Sequence, residues 1–125
     1  MKTAKIFFKY AFFGSFGVLV DFIIYTVLVM VSINYQLGNL IGYIGGTLVS
    51  FLLNRLFTFK IRTEILERFL KFSAVASIGY LSSVFLLWIS VEKMLLDEIT
   101  SKVITLIFIV FIQFSLNKAF TFKEL

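Results

Sequence analysis

The 125-residue chain contains no cysteine, no histidine and no proline. Without cysteine it has neither a disulfide framework nor a thiolate metal ligand. Without histidine it lacks the commonest general base and the commonest metal ligand. Only seven Asp and Glu residues are present. No convincing acid/base pair or metal site can be assembled from them, so no catalytic residue, metal or cofactor is expected. The lack of proline means that no helix is forced to kink at one. Charge is scarce as well: 15% of the residues are charged, against 60% hydrophobic. A soluble domain of this size needs more polar surface than that, which points to lipid as the solvent.

What the chain does have is long apolar runs. The first is Tyr10–Ile33, interrupted only by Asp21. The second runs from Leu37 to about Phe59, with Asn54 and Arg55 near its end. The third covers about Phe69–Val91, and the fourth about Lys102–Phe122, with Asn117 and Lys118 near its end. At ~1.5 Å per residue a helix of each run covers a hydrocarbon core of ~30 Å. The runs show no sustained alternation, and in lipid only helices or a closed barrel satisfy the backbone, so helices are expected. Lys2, Lys5 and Lys9 before the first run resemble the start of a secretory signal. At 24 residues, with no small-residue cleavage pattern, the run reads instead as a retained helix. The expectation is one all-α transmembrane domain over residues 1–125, crossing the membrane four times.

Basic residues set the orientation. Lys2, Lys5 and Lys9 lie at the N-terminus; Arg55, Lys60, Arg62, Arg68 and Lys71 surround the second connection; Lys118 and Lys123 lie near the C-terminus. The short turn Ser32–Gln36 is uncharged, and the third connection sets Lys93 and Lys102 against Glu92, Asp97 and Glu98. This bias predicts both termini and the second connection on the cytoplasmic side. The net charge of +5 then reports an anionic membrane surface rather than nucleic acid.

The chain also repeats itself. Phe51-Leu52-Leu53-Asn54-Arg55-Leu56-Phe57-Thr58-Phe59-Lys60 matches Phe114-Ser115-Leu116-Asn117-Lys118-Ala119-Phe120-Thr121-Phe122-Lys123 at seven of ten positions, 63 residues apart. Phe8-Lys9-Tyr10 with Ser15 and Gly17 echoes Leu70-Lys71-Phe72 with Ser77 and Gly79, 62 residues apart. Two tandem helical hairpins are expected, the first over about 8–60 and the second over about 70–123. They would be parallel repeats about an axis along the membrane normal.

Asp21 falls near the middle of its span, where a charged carboxylate costs roughly 2.5–3.5 kcal/mol on insertion scales. It shares a helical face with Gly14, Gly17 and Tyr25, so close packing of another helix can hide it from lipid. Asp21 reads either as a site for substrate, cation or proton, or as a hydrogen-bonding lock between helices; its counterpart 62 residues on is Ser83. Gly38, Gly42, Gly46, Ser50 and Asn54 form a small-residue ladder for helix packing. Asn54, Gln113 and Asn117 carry amides that need partners at depth, across helices or on a ligand. Lys9, Arg55, Lys71 and Lys118 start or end the four helices on one side. They suit either interfacial anchoring or recognition of a lipid phosphate or diphosphate.

Phe8-Lys9-Tyr10 with Gly14, Gly17 and Asp21 resembles the first helix of GtrA-like proteins. Asn54-Arg55-Leu56-Phe57-Thr58-Phe59 is similar to that family's Asn-Arg-x-aromatic-Thr-Phe signature, and the resemblance covers essentially the whole chain. Lys118 departs from it by standing where an Arg is often found. The resemblance implies a multi-pass protein of the bacterial inner membrane that moves polyprenyl-phosphate-linked sugars for surface polysaccharide synthesis, or assists enzymes that use them. Lys9, Arg55, Lys71 and Lys118 would then hold the phosphate. Asp21, Tyr25, Asn54, Gln113 and Asn117 would line a polar path for the sugar. The partners expected are membrane lipids, the lipid-linked sugar, a membrane glycosyltransferase and a second copy of the chain. Two other classes compete: a small multidrug-type exporter, and a scaffold that recruits a glycosyltransferase without transport.

Overall fold

The computed structural model describes residues 2–57 and 65–116. They form four helices: α1, Lys2–Met30; α2, Tyr35–Phe57; α3, Ile65–Trp88; and α4, Glu98–Leu116. A π-helical turn, Ile89–Lys93, extends α3. All four are long and apolar enough to cross a membrane, over Phe8–Met30, Tyr35–Phe57, Phe69–Lys93 and Glu98–Leu116. No strand occurs among the described residues. The protein is an all-helical, multi-pass membrane protein.

The fold is apolar outside and polar within. Every residue buried on α2 is Gly, Asn, Ser or Tyr, while its Leu37, Leu40, Ile41, Ile44, Leu48, Leu52 and Leu56 are exposed. Lipid tails are as apolar as leucine, so nothing drives those side chains inward; close backbone packing and hydrogen bonds select the interior instead. Small buried clusters remain. One joins Tyr25, Tyr35 and Leu87; another joins Tyr43, Ala76 and Ile109.

α1 and α2 run antiparallel and nearly touch. A Cβ on Gly42 would lie 2.6 Å from the Asp21 Oδ1 and 2.8 Å from its carbonyl oxygen, and one on Gly46 would lie 2.9 Å from the Asp21 Cβ. Gly17 and Gly46 each face the other's carbonyl oxygen too closely for any side chain. Gly14 faces Ser50 and Gly38 faces the Tyr25 ring, both at ordinary contact distance. The second pair, α3 and α4, has one glycine, Gly79, which lies against Gln113 of α4 and Tyr43 of α2.

The far turns are built alike. Asn34 accepts from the backbone N–H groups of Gln36 and Leu37, capping α2, and Asp97 accepts from that of Thr100, capping α4. Ser32 and Leu95, 63 residues apart, take the left-handed backbone at φ 68° and 57°. At the opposite end Tyr10 meets Phe72 and Phe114 edge-on, Phe13 stacks on Phe57, and Phe51 packs on Phe69 and Phe72.

Candidate functional site

The interior polar layer is centred on a residue whose position differs from the expectation for it. Lys102 reads in the sequence as a charge flanking the third connection. It lies instead one turn inside α4, 1% exposed. Its ammonium sits 2.7 Å from the Asp21 Oδ1 on α1 and donates to the Asn39 Oδ1 on α2 at 2.8 Å. The Tyr25 ring lies 5.0 Å from the same Nζ. Asn39 in turn donates to the Ser83 Oγ on α3 at 3.0 Å, and Ser83 to the Tyr80 carbonyl. One side chain from each helix thus enters a single network. Neither charge belongs in hydrocarbon alone; facing each other, they neutralise as a pair and are covered by the bundle.

Tyr25, fully buried, donates its hydroxyl to the Glu98 carbonyl at the start of α4. A second polar contact lies nearer the other end. Tyr43 donates to the Ala76 carbonyl at 2.7 Å and accepts from the Gln113 amide. Asn54 is fully buried and donates to the Ser50 carbonyl one turn back.

Two spaces adjoin this network. A narrow cavity of about 50 Å³ between the four helices is lined at one end by Asp21 and Gly17 and at the other by Tyr10, Phe72 and Phe114, with Ser50 and Gln113 along its walls. A wider groove of about 480 Å³ lies between α2 and α3, walled by Leu40, Ile44, Leu48 and Leu81. Thr47, Ser77 and Tyr80 bring hydroxyl groups to its lining. Tyr43, Thr47 and Ala76 line both spaces and form the partition between them.

Of the basic residues singled out in the sequence, Lys9 and Arg55 are exposed and Lys71 is half-buried. All three lie at the end of the bundle where α1 and α3 begin and α2 finishes. Lys71 pairs with Glu67 at 3.3 Å. Asn117 and Lys118 lie outside the described residues. The structure therefore brings Asp21 and Tyr25 together around Lys102, and puts Gln113 on the wall of the cavity that begins at Asp21. Asn54 sits beside Ser50 instead. The sequence reading missed Lys102, Asn39 and Tyr43. A signal for two of them existed: Lys102 stands 63 residues after Asn39, the same spacing as the doubled basic-aromatic ending.

The family model described as GtrA/DPMS, transmembrane domain, matches residues 9–122. No curated protein and no solved structure matches the chain.

Proposed function

Because this chain belongs to the GtrA/DPMS transmembrane-domain family, we propose that it moves a polyprenyl-phosphate-linked sugar across the bacterial cytoplasmic membrane for cell-surface glycan synthesis. Family membership supports handling of such lipids; the translocation step is our reading. The observation that carries it is the groove between α2 and α3. Its mostly apolar lining suits a prenyl chain, and the hydroxyls of Thr47 and Tyr80 are polar groups it offers a sugar passing at its edge. The interior cavity, at about 50 Å³, has room for a few waters but not for a hexose. The sugar would therefore travel along the groove while the tail stays in lipid.

Arg55 and Lys71, on the last turn of α2 and near the start of α3, would receive the phosphate, Arg55 in bidentate fashion. The exposed Lys71–Glu67 pair is worth little and yields easily to a phosphate. Lys9 and Lys118 would complete that basic end, and the excess of Lys and Arg there supports a cytoplasmic location for it and for both termini. A homodimer that delivers its lipid to a membrane glycosyltransferase completes the proposal. An exporter of lipophilic cations is disfavoured, because the Asp21 carboxylate is already matched to Lys102.

The test is purified protein in liposomes with a fluorescent polyprenyl-phosphate hexose. Wild type should move it between leaflets, and Arg55→Ala should slow that by about tenfold or more, the value of a charged hydrogen bond. No movement by wild type overturns the reading. Co-purification of a glycosyltransferase without movement would replace it with a scaffold role.

A further inference from the structure

The chain shows no nucleotide-binding loop, so net translocation would be driven by a gradient or by consumption downstream. The Asp21 carboxylate of the Asp21–Lys102 pair lines the interior cavity, which puts it within reach of any water that enters there. The cavity that begins at Asp21 runs to Tyr10 and Phe114 at the basic end, lined on the way by Ser50, Gln113 and Tyr43. A cavity of that volume has room for a few waters, with the Asp21 carboxylate, Ser50, Tyr43 and Gln113 as polar groups to hold them. Around Lys102, the hydroxyls of Ser101 and Thr105 are buried without a hydrogen-bond partner. They lie one residue before and three residues after Lys102 on α4.

We propose that Asp21 and Lys102 form a proton-operated exchange site for the lipid phosphate, an inference that rests on the translocation reading. The groups facing the carboxylate are Lys102 from α4, Tyr25 from its own helix, Gly42 and Gly46 from α2 and, across the cavity, the Tyr43 hydroxyl of α2. Asn39 of α2 and Ser83 of α3 follow behind Lys102 and carry no charge. With Asp21 ionised the site is neutral. A proton arriving through the cavity adds to the carboxylate and makes it a carboxylic acid. Lys102 keeps its own protons, its bond to Asn39 and its contact with the Tyr25 ring, and the site now carries one net positive charge. An anion restores neutrality, and a lipid phosphate in the adjacent groove is the anion at hand once the Tyr43 partition moves. When the proton leaves, the Asp21 carboxylate reclaims Lys102 and displaces the phosphate. Proton and lipid phosphate then travel together.

The experiment has two readouts on full-length protein in liposomes. The first is infrared titration without any lipid-linked sugar. Wild type should show a carboxylic-acid C=O band on acidification that Asp21→Asn lacks and that persists in Lys102→Gln. The second is movement of the fluorescent polyprenyl-phosphate hexose at varied pH. Wild type should respond by up to about tenfold per pH unit, the limit for one proton. Asp21→Asn, which cannot reclaim Lys102, should move the lipid slowly and at a rate independent of pH, and Asp21→Asn with Lys102→Gln should lose the pH response as well. A band without lipid movement would uphold the proton site and sink translocation. Absence of the band, or an unchanged pH response in Asp21→Asn, would overturn the exchange site while leaving translocation intact. Because Asp21→Asn can fail to fold, the pH at which the band appears is also compared with Lys102→Gln. There, loss of the facing ammonium should move an Asp21 band to higher pH and leave a band from any other carboxyl unmoved.

Discussion

Where α1 meets α4, Asp21 and Lys102 face each other at 2.7 Å; where α2 meets α3, Asn39 and Ser83 do so at 3.0 Å. Ser83 stands 62 residues after Asp21, and Lys102 stands 63 after Asn39. These are corresponding positions under the repeat spacing, filled by a charged contact on one side of the bundle and a neutral one on the other. The chemistry sets how tightly each side is held. Separating an ion pair inside a membrane strands two charges, whereas separating a neutral amide and hydroxyl strands two dipoles at much lower cost. The neutral side is also the side with the open groove. The difference is one of chemistry: α1–α4 is joined by an ion pair, whereas α2–α3 is joined by neutral hydrogen bonds. Those from Gln36 to the Val84 carbonyl and from Tyr43 to the Ala76 carbonyl are among them, and the translocation we propose would part this second seam.

The largest effect expected from breaking this comparison is loss of one charge. Lys102→Met should destabilise by about 3–5 kcal/mol in detergent unfolding, as for any buried pair missing a partner. Asp21→Asn combined with Lys102→Gln should cost less than that single change. If the two single losses simply add, the two charges do not act as a pair.

The comparison can also be erased by charging the neutral side. Ser83→Asp alone inserts an uncompensated carboxylate at roughly 2.5–3.5 kcal/mol. Adding Asn39→Lys should recover only part of that loss, because it also removes the acceptor that Lys102 bonds at 2.8 Å. It should slow lipid movement, because both sides then carry an ion pair. Recovery of stability without slower movement would show that the groove is not the route.

Smaller effects separate the two helix pairs. Gly46→Ile gives α2 the residue that α4 carries 63 positions later, at Ile109. Its side chain meets the Gly17 backbone and the Asp21 Cβ, so a loss of about 1–3 kcal/mol or more is expected in the same unfolding assay.

The smallest effects lie at the caps. Asn34→Ala should cost about 1 kcal/mol, and Asp97→Ala should shift stability the same way. Only the second cap titrates. Bonding to Thr100 at the start of α4 holds Asp97 below the ordinary carboxylate value. Its contribution is therefore present above the ordinary value and lost as pH falls through the lowered one. Acid should lower the exchange protection factors of amides in the first turn of α4, after correction for the intrinsic rate, and spare those of α2.

Much of this architecture was legible in the residues themselves. Four runs of lipid-compatible length determined four helices, since a backbone in hydrocarbon has almost no other solution. The spacing of Gly38, Gly42 and Gly46 marked a face that only close helix packing uses. Asp21 announced itself as costly and in need of cover. Lys102 did not, because four residues from a helix start a lysine ordinarily snorkels to the headgroups, and hydropathy treats it as the edge of a span.

The sequence by itself thus determined the solvent, the number of crossings, the tight faces and the presence of a charge at depth, because these depend on composition and local period. Tertiary structure alone decided that Lys102 turns inward to meet that charge. It also decided that Asn39 and Ser83 complete the layer, and that the open groove lies beside the neutral contact. Pairing across four helices depends on where their axes sit relative to one another. No local pattern encodes that, and a few ångströms of it decide whether a lysine ends in the headgroups or against an aspartate.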